Sequence, residues 1–227
     1  MRRIGVLGGS FNPIHLGHLL LADELREALA LDEVRFVPAR HPPHKPDRDL
    51  AAAEHRYAMT ELAIRGNPHF TVARVELDRP APSYTVDTLE LFRREAEPTA
   101  TFFLLLGSET FLDLLSWKEP QRLVTLARLA VVPRTGSGFD PDAIQAQKVL
   151  QELGQERWIR VPPALPRPEP SRGIFLVSAT SLPVAASALR QRAREGRSLR
   201  YRVPEPVAEY IAVHRLYQEG GESSALG

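Results

Sequence analysis

Apolar positions fall into short runs separated by stretches in which apolar and charged residues share the helical period. Residues 4–7, 34–37, 101–106, 129–132, 159–161 and 174–177 form the runs, and 70–77 alternates apolar with polar. Each reads as a strand. In 17–29, Leu21, Leu25, Ala28 and Leu29 share one helical face, with Asp23, Glu24, Arg26 and Glu27 between them. Helical patterns recur at 51–65, 86–96, 142–153, 187–194 and 206–215. Fully apolar strands separated by helices predict a parallel sheet covered on both faces. The expected fold is therefore α/β, a doubly wound parallel sheet in one domain, with a small C-terminal helical extension from about residue 185.

Proline and glycine punctuate this pattern. The first run closes at Gly8-Gly9, the helix over 51–65 stops at Gly66, and 101–106 ends at Gly107. Residues 38–49 carry Pro38, three further prolines and two histidines, which predicts an ordered loop rather than a helix. Residues 162–170 hold five prolines and read as a surface connection, and 220–227 as a frayed tail. There is no internal repeat.

At 227 residues and 43% hydrophobic content, the chain can bury one sizeable core. Its 29 Lys and Arg against 28 Asp and Glu are mixed along the sequence, with no basic stripe interleaved with aromatics, so no nucleic-acid partner is expected. The absence of cysteine excludes disulfides, thiolate metal sites and cysteine nucleophiles, and suits a cytoplasmic protein. The first apolar run is too short for a signal-peptide core or a membrane span. A homo-oligomer is left open.

The most informative stretch is Gly8-Gly9-Ser10-Phe11-Asn12-Pro13-Ile14-His15-Leu16-Gly17-His18, at the carboxyl end of the first strand, where ligands of open α/β sheets collect. Two glycines let a backbone approach a phosphate, and a helix starting near Gly17 presents free N–H groups and a positive dipole end to an anion. His15 and His18, three residues apart, face the same anion from the start of that helix. The string matches neither G-x-G-x-x-G nor a P-loop.

It does resemble the G-G-x-F-[DN]-P-x-H-x-G-H segment of the nucleotidyltransferase superfamily, whose H-x-G-H element is shared with class I aminoacyl-tRNA synthetases. Further stretches are similar to nicotinate-nucleotide adenylyltransferases in order and spacing: Val37-Pro38-Ala39, Pro42-Pro43-His44-Lys45, Ser83 to Leu89, Phe103 to Gly107 with Trp117 ten residues on, and Val131 to Arg134. The resemblance continues through Arg200 to Pro204 and on to Tyr210-Ile211, covering essentially the whole chain. It implies a Rossmann-like nucleotidyltransferase fold and transfer of AMP from ATP to nicotinate mononucleotide, releasing pyrophosphate, in NAD biosynthesis. Nicotinamide mononucleotide, phosphopantetheine and a non-catalytic nucleotide-binding role stay open as alternatives.

The resemblance assigns phosphate binding and transition-state stabilisation to His15, His18, Lys45 and Arg190. It assigns ATP binding also to Gly8, Gly9, Ser10, Phe11, Gly17, Gly107, Glu109 and Ser187. Mononucleotide binding falls to Ser10, Lys45, Tyr84, Thr85, Trp117 and Arg134, with Trp117 stacking on the pyridine ring and Tyr84-Thr85 receiving the nicotinate carboxylate. Thr85 also reads as a plain helix cap, and Trp117, without the resemblance, as core. Two departures stand out. The second phosphate motif, Ile-Ser-Ser-Thr-x-Ile-Arg, corresponds to Val184 to Arg190 with Ala185 and Ala186 in place of serines, and Glu109 replaces an aspartate. A register through Ser178-Ala179-Thr180-Ser181 keeps hydroxyls but offers no arginine at the required offset. Mg²⁺ is expected with ATP, held by phosphate oxygens and water, since no dedicated carboxylate set is legible.

Overall fold

A computed structural model describes residues 2–41, 50–96, 99–133, 138–161, 173–180 and 182–218. The strands are β1 (Arg3–Gly9), β2 (Glu33–Pro38), β3 (Phe70–Val72), β4 (Thr101–Gly107), β5 (Arg128–Val132), β6 (Ile159–Val161) and β7 (Ile174–Val177). The helices are α1 (Leu16–Ala28), α2 (Ala53–Ile64), α3 (Thr85–Glu95), α4 (Ser108–Leu112), α5 (Pro120–Leu126), α6 (Ile144–Glu152), α7 (Ala186–Arg194) and α8 (Glu205–Val213). The strands form a seven-stranded sheet in the order β3-β2-β1-β4-β5-β7-β6. Parallel pairing sets Val6 beside Leu104, Leu106 beside Val131 and Ala130 beside Phe175. Strand order reverses between β1 and β4, as a doubly wound fold requires.

Most expected elements form, with ends shifted by a residue or two. The segment 70–77 is a correction: only Phe70–Val72 is strand, and the chain then turns, with Leu77 N–H donating to the Arg74 carbonyl at 2.7 Å. The turn is fixed by arginines. Arg74 pairs with Glu54 of α2 through two 2.8 Å hydrogen bonds, and Arg40 donates to the carbonyls of Leu77 and Arg79. The proline connection at 162–170 and the tail at 220–227 lie outside the described residues, as does most of the loop 38–49.

By its internal packing the chain divides into two compact units. The first comprises Met1–Leu7, Leu21–Arg35 and Tyr84–Ser181; the second comprises Gly8–Leu20, Phe36–Ser83 and Leu182–Gly227. In the first, Phe102, Phe103, Leu105, Leu129, Val131 and Phe175 are buried on the central strands. Gly5 leaves room there: an added Cβ would lie 2.7 Å from the Leu31 side chain and 3.1 Å from that of Leu105, and those leucines would have to shift. In the second, Phe11, Ile14, Phe36, Met59, Val207 and Ile211 are buried, and Phe36 packs edge-on against Phe70 at 5.3 Å between ring centres.

Candidate active site

In the second unit, β1 ends at Gly9 and α1 begins at Leu16, so residues 10–15 form a short connecting loop. Phe11 is only 2% exposed and anchors it. Its ring edge meets the His18 ring at 5.2 Å and packs on Phe36 at 5.9 Å. The His15 and His18 rings stack, with centres 3.7 Å apart and planes 23° from parallel. The His15 backbone N–H donates to His18 Nδ1 at 3.3 Å. With Nδ1 accepting from the backbone, a neutral His18 ring carries its proton on Nε2. His15 is 7% exposed, and its carbonyl receives the N–H groups of His18 and Leu19 as α1 opens.

Gly17 has a reason the sequence did not show. A Cβ there would lie 3.1 Å from His15 Nδ1, so the His15 ring would have to give by a few tenths of an ångström to admit one. Gly8, by contrast, is exposed with open space where a Cβ would project, in keeping with close approach of a ligand.

Arg190, in α7, donates from Nη1 to the Asn12 carbonyl at 3.0 Å, and its buried Nε has no hydrogen-bond partner among the described residues. A cation tied to the loop at one corner and unsatisfied at another is suited to an oxyanion. Ser187 is exposed in the first turn of α7. Its hydroxyl does not cap the helix, whose N-cap is Ala185 with no side-chain cap bond. Ser10 is half-buried, and its carbonyl accepts from Arg56 at 2.8 Å.

Arg56 and Asn12 were not singled out from sequence. Arg56 is fully buried and donates to four backbone carbonyls, those of Ser10, Ala39, Arg40 and Ala51, at 2.6–2.8 Å. Burial lowers its pKa to about 10, with Tyr217 and Glu76 opposing that shift. It therefore remains charged at neutral pH. Three of its four partners lie 16 or more residues away and all are main-chain, so no local pattern marks it.

In the first unit, Gly107 ends β4, and Glu109 is exposed in the first turn of α4. Ser108, Glu109, Leu112, Phe139 and Asp140 line a cavity of about 210 Å³. Tyr84 is the N-cap residue of α3 and Thr85 its first helical residue, with no side-chain cap bond. The helix-cap reading of Thr85 therefore does not hold. Trp117 is half-buried, whereas Trp158 is the tryptophan in the core. Lys118, also not foreseen, holds Asp87 at 2.9 Å and places Nζ 4.9 Å over the Tyr84 ring. Lys45 and Arg134 lie outside the described residues, as does Ser181 of the alternative register. No group of three metal-ligating side chains occurs among the described residues.

Residues 6–192 match the cytidylyltransferase-like family. A probable nicotinate-nucleotide adenylyltransferase of Thermomicrobium roseum is 44% identical over 96% of this chain and 92% of its own length. One from Thermus thermophilus is 43% identical over 95% of this chain and all of its own length. Among solved structures, a Plasmodium falciparum nicotinic acid mononucleotide adenylyltransferase complexed with NaAD superposes with a TM-score of 0.71, covering 96% of this chain and 98% of that one. At 20% identity this likeness bears on the fold. No described helix is long and apolar enough to cross a membrane. With relatives this close over nearly its full length, the chain belongs to the nicotinate-nucleotide adenylyltransferase family, within the cytidylyltransferase-like group.

Proposed function

We infer that this chain transfers AMP from Mg-ATP to nicotinate mononucleotide, forming nicotinate adenine dinucleotide and pyrophosphate in NAD biosynthesis, and that it does so in the cytoplasm. The observation that carries the reading is the loop 8–18, where the His15 and His18 rings stack and the His15 N–H donates to His18 Nδ1. Family membership narrows the acceptor. The family match runs through every point at which the chain passes from one compact unit to the other, which supports treating both as one catalytic domain.

The mononucleotide phosphate oxygen attacks the α-phosphorus in line, the α–β phosphoanhydride bond breaks, and its electron pair leaves on pyrophosphate. No side chain forms a covalent intermediate. Catalysis then consists of positioning two anions and neutralising the charge that grows on the leaving group. His18 Nε2–H, His15 and Arg190 take the phosphates, with Lys45 as a further cation. Gly8, Gly9, Ser10, Phe11 and Gly17 shape the loop around ATP, with Ser187 at the start of α7. Gly107 and Glu109 serve the ATP side, while Tyr84, Thr85, Trp117, Arg134 and Ser10 take the mononucleotide. Mg²⁺ would arrive with ATP, held by phosphate oxygens and water.

Pyrophosphate release from Mg-ATP with nicotinate mononucleotide tests the reading, run beside nicotinamide mononucleotide and the His18→Ala variant. Release is expected with the acid and little with the amide. Removing a transition-state donor should cost the variant at least about a hundredfold in kcat. Equal rates with both mononucleotides would refute the nicotinate preference. ATP binding without release would instead favour a silent binder, the reading that Ala185 and Ala186 suggest.

A further inference from the structure

Three groups distant in sequence converge on Asn12, which is 6% exposed. Tyr217, beyond the end of α8, donates its hydroxyl to Asn12 Oδ1 at 2.8 Å. The Ala51 N–H donates to the same oxygen at 3.1 Å, and Arg190 donates to the Asn12 carbonyl at 3.0 Å. Asn12 is thus held by its side chain and loaded through its main chain, and the load is the cation assigned to phosphate.

The path of the chain after α8 fits this task. Arg215 and Tyr217 both have left-handed backbone angles, φ 49° and 67°, which non-glycine residues rarely adopt. Such conformations cost free energy and persist where surrounding contacts determine them. Burial pushes the Tyr217 phenol above its ordinary pKa, with Arg190 and Arg56 pulling the other way, so it remains a proton donor at neutral pH. An amide oxygen only accepts hydrogen bonds, so the donors of Tyr217 and Ala51 fix which face of the Asn12 amide turns toward them.

We propose that Tyr217 is a positioning residue for phosphoryl transfer, holding Asn12 so that the Asn12 carbonyl orients the Arg190 guanidinium. It touches no reacting atom itself. The inference rests on the function proposed above, and it assigns that site a support from beyond the last described helix. Losing the phenol hydroxyl leaves one Asn12 lone pair unmet and lets the carbonyl that steers Arg190 drift. The cost should therefore appear in handling of the triphosphate and not in recognition of the pyridine ring.

The test is Tyr217→Phe in the full chain, alone and combined with Arg190→Lys, with kcat and both KM values measured by pyrophosphate release. Tyr217→Phe should lower kcat/KM for Mg-ATP about tenfold, the scale of one buried hydrogen bond, with KM for nicotinate mononucleotide changed less than about twofold. In the Arg190→Lys background the same substitution should have almost no further effect. An equal loss in both backgrounds would mean that Tyr217 acts by general stability, and would overturn the proposal. Amide exchange on the unliganded proteins provides a readout independent of turnover. Tyr217→Phe should speed exchange at Ala51 about tenfold while β4 is unchanged, and unaltered exchange at Ala51 would overturn the proposal. If the parent releases no pyrophosphate, the functional reading fails, and exchange at Ala51 alone decides whether Tyr217 holds Asn12.

Discussion

Two residues set how sharply the loop 8–18 is defined. Arg56 is a cation spent on main chain. Removing it leaves the carbonyls of Ser10, Ala39, Arg40 and Ala51 without those donors, the last in a buried place and the others in partly buried ones. Leaving buried acceptors unsatisfied costs about 1–3 kcal/mol each, partly recovered by relaxation and water, so Arg56→Met should destabilise the fold by about 3 kcal/mol. Urea unfolding measures this, and a loss below about 1 kcal/mol would show that the clamp carries little. Gly17 poses the opposite case. Alanine is the better helix former by about 0.5–1 kcal/mol, but its Cβ would push the His15 ring by a few tenths of an ångström. Gly17→Ala should therefore leave the melting temperature nearly unchanged and lower kcat about tenfold, since the stacked pair supplies donors to a geometry-sensitive transition state. Full activity in that variant would mean that His15 has slack.

Between elements, the sequence is most readable where pattern is local. The runs of β4, β5 and β7 are apolar because both faces are buried, and the period of α1, α3 and α8 marks one buried face. α4 and α5, at 5 and 7 residues, are too short to show a helical period. β3 reads longer than it is because residues 73–77 keep an alternating look while arginines bend the backbone. At the site, the string Gly8 to His18 is legible because its chemistry is contiguous. Asn12's partners, Arg56 and Lys118 are not, because all but one of these contacts join residues 16 or more positions apart. The Glu54–Arg74 pair that joins α2 to the turn after β3 has a pH signature. The hydrogen bond and charge of Arg74 hold the Glu54 carboxyl below its ordinary value of 4.5. The folded form therefore prefers the carboxylate. The stabilisation is complete above the unfolded-state pKa and is lost as pH falls through the lower folded value. With Glu54 and Arg74 side chains 53% and 41% exposed, the pair contributes under about 1 kcal/mol. Glu54→Gln should thus reduce stability slightly at pH 7, with the gap to the parent narrowing as pH falls below 4.5, as read by urea midpoints.

For the whole molecule, the two compact units raise the question of whether they melt separately. The boundaries argue against it. β1 runs from Arg3 to Gly9 while the units divide at Leu7; α1 is divided at Leu20 and β2 at Arg35. Unfolding one unit alone would cut through two strands and a helix, exposing ladder and helical hydrogen bonds with no compensating gain. Calorimetry should therefore show one transition whose van't Hoff and calorimetric enthalpies agree. Mg-ATP at about a hundred times its dissociation constant adds about 2.7 kcal/mol to the native state, which for a chain of this size raises the midpoint by about 5–10 °C. That shift should move the single transition as a unit, because a ligand held by residues of the loop 8–18 stabilises everything that unfolds with that loop. Two resolved transitions, only one of them raised by Mg-ATP, would show that the units fold independently, and the single catalytic domain proposed here would have to be divided at those boundaries.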